Sequence, residues 1–223
     1  MNAYLGIELG STRIKAVAIG DDHRPVSSGD YTWASNFKDG IWTYELDEAW
    51  RGINSALKSI ENCVSIKAMG ISAMMHGYLA FNKEGKLLAP FRTWRNTCAG
   101  EAANKLTEEF QFNIPDRWSI AHLYQLILED AEHIKDVAYF TTLAGYIHTL
   151  LTGEKVCEVS IASTSQMLDL KNKKWSKKVL NCFGINEELF PKLVDSATVM
   201  GDYKGIPVIS VAGHDTQCAV AAM

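Results

Sequence analysis

The spacing of apolar residues along the chain changes period several times, and each change marks an element. Residues 4–8 (YLGIE) and 14–19 (IKAVAI) are short apolar runs separated by Gly10-Ser11-Thr12. Runs of this length joined by a glycine-containing turn predict two strands of a hairpin. A third run, residues 26–33, follows Asp21-Asp22 and predicts another antiparallel strand. The period then becomes helical. Trp50, Ile53, Leu57 and Ile60 recur on one face behind Asp47, which is placed to cap the helix. Residues 66–72 and 78–82 read as strands, the second closing at Lys83-Glu84-Gly85. Helical spacing returns over residues 101–110 and again where Ser119 would cap a segment carrying Leu123, Leu126 and Ile127. A further helix over residues 143–151 stops at Gly153, as a helix C-terminus commonly does. The last apolar run, residues 207–212, leads into Gly213-His214-Asp215 and a helical start at residues 216–223.

Hairpin strands followed by alternating helices and strands predict an α/β fold with a mixed sheet, opened by antiparallel strands and flanked by helices. The final helix has no cap and no polar last turn. The expectation is one domain over residues 1–212 and, at 213–223, the opening of a second that is cut short.

Composition narrows the class. With 47% hydrophobic and 22% charged residues, the 223-residue chain has the balance of a globular protein able to bury a core without disulfides or a structural metal. Its net charge of −4 lacks the basic excess of a nucleic-acid binder. The N-terminus has no basic segment followed by a long apolar one. The longest uncharged stretch, residues 137–153, contains His148, Gly145 and several threonines and makes a poor membrane span. Five scattered cysteines without a CxxC pair point to free thiols rather than a disulfide framework or zinc site. A cytoplasmic protein without membrane or nucleic-acid partners is expected.

Neither GxxxxGK[ST] nor GxGxxG occurs. Four other features could carry chemistry. In the first, Glu8 ends a strand before the Gly10-Ser11-Thr12 turn and Lys15 sits on the returning strand. Turn amides and two hydroxyls can hold phosphate oxygens, and the carboxylate can hold Mg²⁺; an ordinary hairpin turn is the alternative. In the second, Asp215 follows a strand and opens a helix, the position of a general base or of an N-cap. In the third, His76 lies between Met75 and Gly77 at a strand end, where it could meet a polyol or serve the core. In the fourth, Trp94 sits between Arg92 and Arg95, with Asn96 next to it: a sugar-stacking loop, or an exposed loop anchored by an aromatic.

The order of these features resembles the FGGY family of carbohydrate kinases, of the actin-like (ribonuclease H-like) fold superfamily. GIELGSTRIKAV is similar to the family's first phosphate motif, and MMHG at residues 74–77 resembles the QMHG segment of xylulokinases. The loop at Trp94 resembles the family's substrate-side Trp loop. The run from Thr152-Gly153-Glu154 through Glu158, Ser160 and Ser163 to Leu168-Asp169 and Trp175-Ser176 is similar to a further family stretch. Residues 212–215 resemble the motif holding the catalytic base.

The resemblance implies transfer of the ATP γ-phosphoryl group to a sugar hydroxyl, with Mg²⁺. Asp215 would be the base, Gly10, Ser11, Thr12 and Lys15 the phosphate contacts, and Glu8 the metal ligand. Met75, His76, Trp94, Arg95, Asn96 and Glu158 would line the sugar pocket. A xylulose-like ketose is the first substrate reading; another sugar or a sugar acid such as gluconate is the alternative. From a different class, a nucleotide-dependent binding or regulatory module without turnover also fits the fold. The implied partners are a small-molecule sugar and a C-terminal domain of the same polypeptide, with a homodimer left open. Without that domain, the chain alone is expected to be inactive.

Overall fold

A computed structural model describes residues 1–60, 64–211 and 214–223; Cys63, Ala212 and Gly213 of the sequence reading lie outside them. The chain opens with strands β1 (Asn2–Leu9), β2 (Arg13–Gly20) and β3 (Pro25–Thr32), a short hairpin of β4 (Asn36–Lys38) and β5 (Ile41–Thr43), and helix α1 (Leu46–Lys58). Next come β6 (Ser65–Ala73), β7 (Leu79–Phe81), α2 (Gly100–Phe110), α3 (Ser119–Leu128), β8 (Tyr139–Thr141) and α4 (Leu143–Thr152). The remainder is β9 (Val156–Glu158), α5 (Val159–Ser163), β10 (Leu168–Asp169), β11 (Lys174–Trp175), α6 (Lys177–Cys182), β12 (Lys192–Val194), β13 (Val199–Tyr203), β14 (Ile206–Ile209) and α7 (Asp215–Ala221).

Among the described residues the main sheet has six strands in the order β13-β14-β6-β1-β2-β3. β14, β6 and β1 run parallel, while β2, β3 and β13 are antiparallel to their neighbours, which makes the expected mixed sheet. The period-two pattern decides its faces. Leu5, Ile7 and Leu9 of β1 and Ile14 and Ala16 of β2 are buried, as are Met69 and Ile71 of β6 and Ala49 and Ile53 of α1. Tyr4, Glu8, Lys15 and Val17 point to the opposite face. Helix α1 lies unusually close to the sheet: a Cβ at Gly29 would overlap the Ala56 carbonyl, and one at Gly52 would strike Ile14 and Tyr31.

Two expected caps are corrected. Helix α1 begins at Leu46, which is buried, so Glu45 holds the N-cap and Asp47 falls in the first turn, where its charge meets the positive end of the helix dipole. Helix α3 has Trp118 at its N-cap, in extended geometry that lets the indole stack on His76; Ser119 is the first helical residue. The β4–β5 hairpin falls where no element is expected. Its turn, Asp39-Gly40, has φ of 51° and 78°, the left-handed pair required by a two-residue type I′ turn. Among the described residues, no helix is long and apolar enough to cross a membrane.

Candidate active site

Because β1, β6 and β14 are parallel, their carboxyl ends share one edge of the sheet, where open α/β sheets gather ligands. Glu8 lies near the end of β1, Ser72 near the end of β6, and α7 starts with Asp215 just after β14. Glu8 and Lys15 are direct cross-strand partners on the outer face, and Nζ lies 3.5 Å from Oε2. Glu8, Lys15, Ser72 and Asp215 line one cleft of about 550 Å³, whose floor is the apolar outer face of the sheet. Asp215 is the first helical residue, with His214 at the N-cap. Its Oδ1 accepts the Thr216 amide at 2.7 Å and faces His214 Nδ1 at 3.3 Å, so one carboxylate oxygen carries the local bonding.

The Gly10–Thr12 turn is closed by the Gly10 amide donating to the Arg13 carbonyl at 3.0 Å. Three aromatic side chains hold it from behind. Trp33 Nε1 donates to the Gly10 carbonyl at 2.8 Å, Tyr44 Oη to the Ser11 carbonyl at 2.6 Å, and Trp94 Nε1 to Ser11 Oγ at 3.3 Å. The Thr12 side chain is exposed.

On the acceptor side, His76 and Gly77 follow β6 with φ of 61° and 104°. A Cβ at Gly77 would collide with Phe91 and the Arg92 carbonyl, so glycine is required there on both conformational and steric grounds. His76 is buried against Trp118, with ring centroids 5.7 Å apart, and its Nδ1 has no protein partner. Burial drives its pKa down to about 4, a hydrogen bond to the Thr164 backbone opposes this, and Arg117 and His214 push the same way as burial. His76 is therefore neutral at pH 7, with a ring nitrogen able to exchange a hydrogen bond with a hydroxyl. Met75 beside it is half-buried.

Trp94 and Arg95 are exposed, and Arg95 lies over the Trp42 ring at 4.1 Å while donating to Ser35 Oγ at 2.7 Å. Two expected sugar contacts are otherwise engaged. Asn96 is 2% exposed; its Oδ1 accepts the Trp42 amide at 2.7 Å, and its Nδ2 donates to the carbonyls of Trp42 and Thr93. Glu158 is 4% exposed and accepts from the amides of Ser160 and Ile161 and the hydroxyls of Ser160 and Ser196. Both shape the site by fixing backbone, and their polar atoms are already partnered. Sequence reasoning passed over Trp33, Tyr44 and Trp118, although an aromatic-rich stretch around Asp39-Gly40 was a signal for the first two.

Against solved structures, the fold is that of the actin-like sugar kinases. A xylulose kinase from Rhodospirillum rubrum superposes with a TM-score of 0.90 at 17% identity, over 99% of this chain and 51% of that one. A glycerol kinase from Plasmodium falciparum solved with ADP gives 0.86 at 18% identity, over 98% and 49%. The model of the N-terminal domain of the FGGY family of carbohydrate kinases matches residues 3–222, and the chain belongs to that family. It is 29% identical to a rhamnulokinase of Ligilactobacillus salivarius over 99% of its own length. It spans about half the length of that relative, 50%.

Proposed function

We propose that the protein is an ATP-dependent carbohydrate kinase, and that this chain supplies its phosphate turn, its catalytic base and one wall of its sugar pocket. The observation that carries the reading is the convergence of Glu8, Lys15 and Asp215 on a single cleft along the outer face of the sheet; the Gly10–Thr12 turn does not line it but joins the two strands that carry Glu8 and Lys15. Phosphoryl transfer asks for positioning and charge stabilisation more than for covalent chemistry, and this edge offers both.

Asp215 accepts the proton of the attacking sugar hydroxyl. Ser11 and Thr12 hold phosphate oxygens through their hydroxyls and amides, the Gly10 amide being taken by the Arg13 carbonyl, and Lys15 offsets the phosphate charge. Mg²⁺ fits these residues: it is usually held by one or two carboxylates together with phosphate and water, and Glu8 opens onto the same cleft. Bound there, it would neutralise and orient the phosphates. His76, Met75, Trp94 and Arg95 orient the sugar, which we take to be a ketose of the xylulose kind phosphorylated on a primary hydroxyl. The similarity of Met74–Gly77 to the xylulokinase segment supports that choice. We place the boundary to a second domain at residues 212–213.

The test is Asp215→Asn in the complete gene product, assayed against a panel of ketoses, polyols and aldonates. Loss of the base should lower kcat by roughly 10²–10⁴-fold with the fold retained. Near-normal turnover by a folded variant would refute the assignment, and turnover restricted to aldonates would move the substrate to the sugar acids.

A further inference from the structure

The turn proposed to hold phosphate and the loop proposed to hold sugar are 83 residues apart in sequence, yet Trp94 Nε1 bonds Ser11 Oγ directly. A second route joins them. The acceptor loop is fastened to Trp42 by both functional atoms of the Asn96 amide, by the Thr93 amide donating to the Trp42 carbonyl at 3.3 Å, and by Arg95 lying over the indole. Two residues further on, Tyr44 donates its hydroxyl to the Ser11 carbonyl at 2.6 Å. Tyr44 is 2% exposed, stacks on Trp33 at 4.4 Å between centroids, and stands 6.4 Å from Phe91 of the acceptor loop. Trp33 in turn holds the Gly10 carbonyl. Burial pushes the Tyr44 phenol pKa up, so the group stays a proton donor throughout the physiological range.

We propose that Tyr44 and Trp94 are positioning residues that clamp the Gly10–Thr12 turn to the acceptor loop, so that sugar and nucleotide bind to one hydrogen-bonded unit. A two-residue hairpin tip on its own is free to rock about the ends of its strands. Here both the Ser11 carbonyl and its hydroxyl are pinned by side chains whose own backbones are tied together through Trp42. Order imposed on the loop by a sugar is thereby passed to the turn before nucleotide arrives. A second ligand that meets an already ordered site loses less entropy on binding, which makes the two ligands mutually reinforcing.

The nucleotide part of this inference rests on the kinase reading, whereas the clamp itself does not, and the experiment separates them. Tyr44→Phe keeps the ring and removes the donor; Trp94→Phe keeps a stacking face and removes the other. In the complete gene product, hydrogen exchange should report faster opening of residues 10–12 in each variant, with β1 and β6 unchanged. Calorimetry with Mg·ATP should show about 5-fold weaker binding for Tyr44→Phe, the scale of one net hydrogen bond, while affinity for the sugar that supports turnover stays within about twofold. The enhancement of Mg·ATP binding by that sugar should shrink in Tyr44→Phe, a buried position with no proposed sugar contact. If Tyr44→Phe does not fold, Trp94→Phe, at a side chain on the surface, still decides the matter. Unchanged exchange at residues 10–12 together with unchanged Mg·ATP affinity would overturn the clamp. A wild-type protein that binds no Mg·ATP would instead overturn the kinase reading, while the exchange rates would still judge the clamp.

Discussion

The two sides of the candidate site are built by different means. On the phosphate side, Glu8 and Lys15 are placed by strand register: the β1–β2 ladder sets them opposite each other, and the shared direction of β1, β6 and β14 brings Asp215 to the same edge. On the acceptor side, His76, Trp94 and Arg95 sit on segments with little regular structure, held by side-chain bonds such as those of Asn96 to Trp42 and by the obligatory glycine at position 77. A site carried by backbone ladders tolerates changes in its side chains. A site carried by side chains is only as firm as each of those bonds.

Acidification should reach the acceptor side through His76 and His122, which lie near each other, with Arg92 beside His122, and should reach helix α4 through His148. Burial holds the pKa of His76 and His148 at about 4 and that of His122 at about 3, below the ordinary value of 6.5. Each unfolded imidazole therefore binds a proton that its folded form refuses. Stability is complete above pH 6.5 and falls as the pH drops from there towards 4, by roughly 2–3 kcal/mol for each of the three histidines, together enough to approach the whole stability of a domain. Urea midpoints measured across that range should show the slope, and His122→Leu should flatten part of it; a profile that is level between pH 6.5 and 4 would contradict the buried neutral state.

Asn96→Ala comes next in size. It strips three hydrogen bonds from a buried amide and leaves the Trp42 amide unmatched, while the Trp42 carbonyl keeps the Thr93 amide, at a cost of about 2–3 kcal/mol. Hydrogen exchange at residues 41–43 and 91–97 should rise together, while β1 stays protected. Equal loosening of β1 would erase the contrast between the two sides. The smallest effect belongs to Lys15→Met. The Glu8–Lys15 pair is solvent-exposed, so stability should change by less than about 0.5 kcal/mol in a thermal melt. On the proposed function turnover should nevertheless fall, because Lys15 is the charge assigned there to offset the phosphates.

What the sequence made legible follows the same division. The alternation in β1 and β2 and the Gly10-Ser11-Thr12 turn between them were readable, because each rests on neighbours in the chain. The place of Asp215 shortly after a strand was readable too, although it is the first residue of α7, with His214 rather than Asp215 at the N-cap. On the acceptor side the chemistry of Asn96 and Glu158 was readable, but their protein partners were not: the burial of both and the four-way bonding of Glu158 are products of packing between distant segments. The β4–β5 hairpin had a local signal in Asp39-Gly40, obscured by strands of only three residues. Its importance, as the anchor for residues 93–96, depends on contacts more than 50 positions away, which no local period encodes.

One bond in the clamp has a direction as well as a length. An indole N–H can only give a proton, so Ser11 Oγ must be the acceptor from Trp94. The hydroxyl proton of Ser11 is then turned away from the tryptophan and left free for another acceptor. On the proposed function that acceptor is a phosphate oxygen, which at neutral pH only accepts. Replacing Trp94 with a residue that itself accepts, such as glutamate, would reverse that polarity and aim a lone pair at the phosphate, even if the contact distance were kept.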